Sequence, residues 1–276
     1  MTEMRKIILA IVLMILMKHS CFSQSDTLVI SVRGFDIVMV KVEGGSFKRG
    51  CNPEIKPHDS CCFKKNWGEN IVTLKNFYIA KFETTQLLYE SIMGNNPSQA
   101  RPDRHTGKSA VLPVENVSWY EAQIFIDSLN KITRLCFRLP TEAEWEFAAR
   151  GGNYDNPYLY AGSNNINDVA WFDYGGPISG WEWTMGVGGK KPNQLGLYDM
   201  TGNVCEWCSD WYDETYYQSQ NKFYNPKGPE TGDRKVVRGG NWGIHSECLL
   251  DVRYRQGEFP DRKQPYIGFR LALDSN

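Results

Sequence analysis

The sequence predicts an α+β domain: short strands and two well-capped helices first, then a long irregular half of short strands joined by ordered loops. Three observations carry this. Two Ser/Thr-x-x-Glu boxes, Ser118 to Glu121 and Thr141 to Glu144, stand directly before helical runs, where hydroxyl and carboxylate satisfy each other's free backbone donors. The stretches 36–43 and 71–80 are partly alternating or apolar, as strands are. From residue 151 to 276 no helical period is present, and Gly, Asn, Asp, Tyr and Trp dominate. The chain's 276 residues allow one large domain or two small ones, and no linker or low-complexity segment divides it. A formal charge of −1 excludes a protein that wraps nucleic acid, which needs clustered positive charge. A mean hydropathy of −0.46 excludes a multi-span membrane protein.

Along the chain, Arg5 and Lys6 precede the apolar run Ile7 to Met17, which Lys18, His19 and Ser20 close. A basic start and a short apolar run read as a secretory signal peptide over 1–23, too short to span a bilayer comfortably. The mature chain is therefore expected to be secreted or periplasmic, without a transmembrane span; a lipid-modified Cys21 is the alternative. Residues 24–36 read as a leader, and 36–43 as a strand ending at Gly44 and Gly45. The polar stretch 51–70 reads as a loop stapled by Cys51 with Cys61 or Cys62, and 71–80 as a second strand. Thr84 or Thr85 opens a helix that stops near Gly94, and 98–112 is a basic loop. The box at Ser118 starts a helix with Ala122, Phe125, Ile126 and Leu129 on one face, and Gly151–Gly152 ends the helix begun at Thr141. Glu142, Glu144 and Glu146 read as capping and N-terminal dipole residues of that helix, not as an acid–base pair.

An exported chain uses cysteine for disulfides, and losing Cys21 leaves seven, so at least one thiol is unpaired. Cys205 and Cys208 form a Cys-x-x-Cys with no second copy, and His58, His105 and His245 lack ligand spacing, which argues against zinc.

Six segments, in order, carry a family resemblance: Val38–Phe47 (VMVKVEGGSF), Pro113–Ala122 (PVENVSWYEA), Arg138–Gly152 (RLPTEAEWEFAARGG), Leu195–Trp207 (LGLYDMTGNVCEW), Val237–Trp242 (VRGGNW) and Ile267–Ala272 (IGFRLA). Over 37–273 the chain resembles the formylglycine-generating enzyme, or sulfatase-modifying factor, family. The resemblance implies an elaborated C-type-lectin-like fold: twisted antiparallel sheets, two main helices and much irregular structure. It also implies two functional classes. Oxidase members convert a sulfatase cysteine to formylglycine with molecular oxygen and a copper ion held by two cysteines. Other members are non-enzymatic binding modules.

Counted from Arg238, the first copper cysteine falls on Ile244 and the second on Leu249, one residue past Cys248; the motif serine is Asn241. Cu(I) needs thiolates, and Ile244 offers none. The resemblance thus implies a polypeptide- or glycan-binding or scaffold module, with the alternative an oxidase whose thiol site is displaced, Cys248 being its candidate residue. The cysteines of this region are expected to form a Cys208–Cys248 disulfide, with Cys205 unpaired or joined to Cys136. The family's structural calcium falls on Asp199 to Glu206, with side-chain oxygens from Asp199 and Glu206 and carbonyls from Gly202 and Val204, hard donors suited to that ion.

Overall fold

A computed structural model describes residues 27–50, 70–101, 111–154, 158–173, 184–219 and 221–275. The signal segment, Cys21, the stapled loop with Cys51, Cys61 and Cys62, and most of the basic loop lie outside the described residues. The first strand, β1 (Thr27–Val32), begins inside the expected leader and pairs antiparallel with β2 (Phe35–Val42) through the tight turn at Arg33–Gly34. Next come β3 (Ser46–Arg49), β4 (Asn70–Thr73) and β5 (Phe77–Ala80). The single strand expected at 71–80 is therefore two. The Leu74 N–H turns to the Gly45 carbonyl and the Asn76 side chain accepts from Gly44 N–H, so the chain leaves one sheet and enters another.

Three helices follow: α1 (Gln86–Met93), α2 (Trp119–Thr133) and α3 (Glu142–Ala149). Thr85 caps α1 and Gly94 ends it with φ 76°, as its sequence predicts. Both capping boxes form, with Ser118 and Glu121 on α2 and Thr141 and Glu144 on α3. The second half holds only the four-residue α4 (Ile166–Val169), two 3-10 turns and short strands: β6 (Cys205–Trp211), β7 (Lys222–Tyr224), β8 (Lys235–Arg238), β9 (Gln256–Glu258), β10 (Ile267–Gly268) and β11 (Ala272–Asp274).

The sheets run β1-β2-β5-β11, β10-β6-β8-β9 and β3-β4-β7. Most pairs are antiparallel, but β4–β7 and β6–β10 are parallel. The first sheet separates two cores. Ile37, Met39 and Ala80 face one, with Phe125 of α2 and Phe269; Val40, Val42, Phe77 and Ile79 face the other, with Trp145 and Phe147 of α3. Burial on both faces explains the nearly continuous apolar runs of β2 and β5. A third cluster, Tyr160, Ile166, Val169, Ala170, Phe172 and Leu250, lies beneath the loop that follows β8. No helix among the described residues is long and apolar enough to cross a membrane.

Candidate functional site

Strand β6 brings the two expected sites together. Cys205 and Cys208 are three residues apart on an extended strand, so their side chains leave opposite faces. Cys205 packs in the α2 core and Cys208 in the α3 core. Both are buried free thiols, and Cys136 is an exposed one. Burial pushes the Cys205 thiol up to about 12 and raises Cys208 well above the ordinary range, so neither is a ready thiolate. The expected Cys208–Cys248 bridge is not formed: Cys208 is free inside a core, whereas Cys248 is disulfide-bonded and its sulfur lies 3.1 Å from the Ser246 hydroxyl. Pairing of Cys205 with Cys136 is likewise absent, since one is buried and the other exposed.

The segment Arg238 to Asp251 is the loop on which copper cysteines are expected. Arg238 laces its return: one guanidinium donates to the carbonyls of Val252, Arg253 and Tyr254 and to Glu146. Gly240 has φ 69°, and a Cβ there would meet Leu250 at 2.5 Å, so only glycine lets the loop close on the third cluster. Asn241, at the motif serine, is buried. Its amide donates to the Cys205 sulfur at 3.2 Å and its oxygen accepts from Gly243 N–H at 2.9 Å. Ile244 packs against the third cluster. His245 is exposed, with Nδ1 3.5 Å from the Asp173 carboxylate. Tyr160 holds Glu247 at 3.2 Å. The residues at this loop therefore do not fit a two-thiolate copper site. Ile244 is hydrocarbon in an apolar contact, and the nearest sulfur in sequence, Cys248, is already bonded.

The expected calcium segment runs from the loop before β6 into the strand. Asp199 (φ 56°), Gly202 (φ 78°) and Asn203 (φ 57°) give it three left-handed residues, and a Cβ on Gly202 would sit 2.4 Å from the Trp171 carbonyl. Asp199 Oδ2 accepts from Gly188 N–H at 2.7 Å, while its buried Oδ1 has no partner. Burial pushes its carboxyl up to about 6, against the hydrogen bond from Gly188 and the charge of Arg270. Glu206 is fully committed. Arg270 donates to both its oxygens at 2.6 Å and Trp145 Nε1 adds a bond at 2.7 Å, all without exposure to solvent. As a calcium donor Glu206 does not fit this arrangement, because its lone pairs face a guanidinium.

Sequence reasoning missed the third carboxylate. Glu83, 120 residues before Asn203, accepts from the Asn203 amide at 2.7 Å and from Val204 N–H at 3.1 Å. Burial first, then the charges of Asp199 and Glu206, raises its carboxyl well above the ordinary range. It also missed the ion cluster under α3. Glu142 and Glu146, four apart and so on one helix face, meet Arg49, Arg238 and Arg255 in the interior. Burial pushes Glu142 up, but Arg255, Arg49 and Arg238 together outweigh it and hold the carboxyl at about 2. The reading of all three glutamates as cap and dipole residues holds for Glu144, which binds Thr141 N–H and Arg138; the other two are interior counter-ions. Among the described residues, no three His, Cys, Asp or Glu side chains converge as a metal-binding group.

These features meet an independent comparison. The profile of the sulfatase-modifying factor enzyme 1-like domain matches residues 36–275. The chain belongs to that family. Its relatives divide. Chaperone protein LppX of Paenibacillus barcinonensis is 31% identical over 262 residues, covering 78% of this chain and 82% of that one. The formylglycine-generating enzyme of Streptomyces coelicolor is 36% identical over 185 residues, covering 59% of this chain and 53% of that enzyme. The chain thus spans about half the length of that enzyme. Among solved structures, Treponema denticola variable protein 1 superposes with a TM-score of 0.77 at 29% identity, covering 91% of this chain and 99% of that one. The fold is that of the family, C-type-lectin-like with curled sheets, as the six sequence segments imply.

Proposed function

We propose that this chain is an exported binding or scaffold module of the family, taking a polypeptide or glycan ligand, and that it is not a copper oxidase. One observation carries the reading: Ile244 stands where a copper thiolate is expected and packs against the apolar cluster of Val169, Phe172 and Leu250. The rival, an oxidase with a displaced thiol site, needs two thiolates side by side. Cys205 and Cys208 lie in different cores and Cys248 is bonded, which weighs against it. A relative named as a chaperone supports a polypeptide ligand, and the apolar segment 7–17 behind two basic residues supports export.

The test is direct. The purified chain is titrated with Cu(I) and incubated aerobically with a peptide carrying Cys-x-Pro-x-Arg, and the peptide is read by mass spectrometry. The proposal expects no two-thiolate copper binding and an unchanged peptide cysteine. Tight Cu(I) binding together with conversion to formylglycine would establish the oxidase instead.

Calcium on the 199–206 segment belongs to the same proposal, with a narrower donor set. Asp199 offers a buried, unpartnered oxygen, and three buried carboxylates (Glu83, Asp199, Glu206) share the single Arg270 charge, whereas Glu206 itself is spent. When bound, calcium would supply countercharge to Asp199 and stabilise the fold. At 100 times its dissociation constant the gain is about 2.7 kcal/mol. A thermal midpoint that falls on dialysis against a chelator and returns with Ca2+ is expected; an unchanged midpoint at millimolar Ca2+ removes calcium from the reading.

A further inference from the structure

A cavity of about 560 Å³ opens between the turn joining β4 to β5, the first turns of α2 and α3, the loop after β7 and strand β11. A ligand here rests on the proposed binding role and deepens it, but the cavity shares no residue with the 238–251 loop, so failure of the copper reading and failure of this site are distinguishable. Its size is that of a small-molecule site. Its chemistry is lopsided. Three cationic and two anionic side chains line it. Arg138 spends all five N–H groups on Glu144, Asp274 and the Leu139 carbonyl, engaging both oxygens of Glu144 and Oδ1 of Asp274, whose Oδ2 faces solvent. Lys75 and Lys227 remain, and among the described residues neither pairs with a carboxylate. Lys75 has only the Tyr224 ring at 5.9 Å.

The neutral groups lean the same way. Asn76 and Asn225 each accept a backbone N–H through Oδ1, from Gly44 and from Lys75, both at 2.8 Å. Those bonds fix the amides and leave both NH2 groups as spare donors. Trp119 lines the cavity, with its indole N–H turned away to the Cys208 carbonyl and Lys235 Nζ 4.2 Å from its ring centroid. The site thus offers two ammonium groups, two amide donors and an aromatic ring, against one exposed carboxylate oxygen, Oδ2 of Asp274.

We infer that this cavity binds an acidic saccharide, one or two rings bearing a carboxylate. Ring, hydroxyl and glycosidic oxygens accept from the amides, the carboxylate takes the lysines, and the C–H faces of the sugar pack on the indole. An acidic peptide is the rival occupant, since Asp274 Oδ2 and Gln123 leave acceptors for its backbone N–H groups, and tetraglutamate tests it directly.

The probe is digalacturonate, titrated by calorimetry into the full chain and followed by NMR at the side-chain amides of Asn76 and Asn225. Saturable binding that shifts both amide signals and weakens with salt is expected. Lys227→Glu is expected to weaken it at least about tenfold, as loss of a charge-assisted contact does. Lys227 is exposed, so the variant is expected to keep its thermal midpoint. Any of four results overturns the inference: no binding at about 10 mM; equal affinity for the methyl-esterified dimer; equal affinity in Lys227→Glu; or binding of tetraglutamate without binding of digalacturonate.

Discussion

At the scale of single residues, the interior is governed by charges that have no access to water. Glu206 and Arg270 form a bidentate pair with zero exposure on both sides. Removing one partner of such a pair strands the other, which costs about 3–5 kcal/mol. Glu206→Gln is therefore expected to lower unfolding free energy by about that much in urea titration; a loss below about 1 kcal/mol would show that Arg270 is held by the Ala80 and Tyr198 carbonyls alone. Stability is also expected to depend on pH in a defined sense. Burial pushes Asp210 and Glu115 up to about 7, and Asp199 to about 6, against about 4 in an unfolded chain. Between those values the folded state holds more protons, so these groups cost stability as pH rises from about 4 to about 7. Glu142, held at about 2, works oppositely: its contribution is present above about 4 and is lost as pH falls toward about 2. The thermal midpoint is expected to be higher at about pH 5 than at about pH 7.5 and to fall again below about pH 4, with Asp210→Asn flattening the upper limb. A midpoint that rises from pH 5 to 7.5 contradicts this assignment. Asp199 and Glu206 were legible in sequence because they end a compact motif. Glu83 and Arg270 were not, because nothing local marks a partner 120 or 64 residues away.

At the scale of elements, local chemistry was the readable part. The boxes at Ser118 and Thr141 need only four consecutive residues, and both form as written. Ser118→Ala and Thr141→Ala are each expected to cost about 0.5–2 kcal/mol in chemical denaturation. The larger loss is expected at Thr141, since α3 is buried along its whole length and a frayed end has no solvent to turn to. Equal, near-zero effects would mean that packing alone holds both starts. The stretch 71–80 was misread as one strand because its apolar pattern runs on through Leu74. The break is made by distant groups, the Gly45 carbonyl, Gly44 N–H and Asn225, which pull the turn out of line. Strand β1 escapes the sequence reading for a related reason: four of its six residues are exposed, and its place is set by pairing with β2. Glu142 and Glu146 show the opposite failure. Their positions in the first and second turns suit a dipole role, but the three arginines that claim them come from β3, β8 and the segment before β9.

At the scale of the whole molecule, one sheet divides the two larger cores of the described residues, and a third, smaller apolar cluster lies under the loop where family oxidases are expected to bind copper. The six motif segments make the family fold legible in the sequence. The loop's altered chemistry was legible too, in the single fact of isoleucine at 244. What lay beyond reach was the thiol arrangement: a Cys-x-x-Cys reads as a pair until the strand is known to send its two sulfurs to opposite sides. That separation gives the protein two built-in clocks. Under native conditions, iodoacetamide followed by peptide mapping is expected to label Cys136 at once, and Cys205 and Cys208 only as fast as their surroundings open. If the halves come apart in a single event the two inner sulfurs will be labelled at one shared rate. Two different rates would show that one half can breathe while the other stays shut.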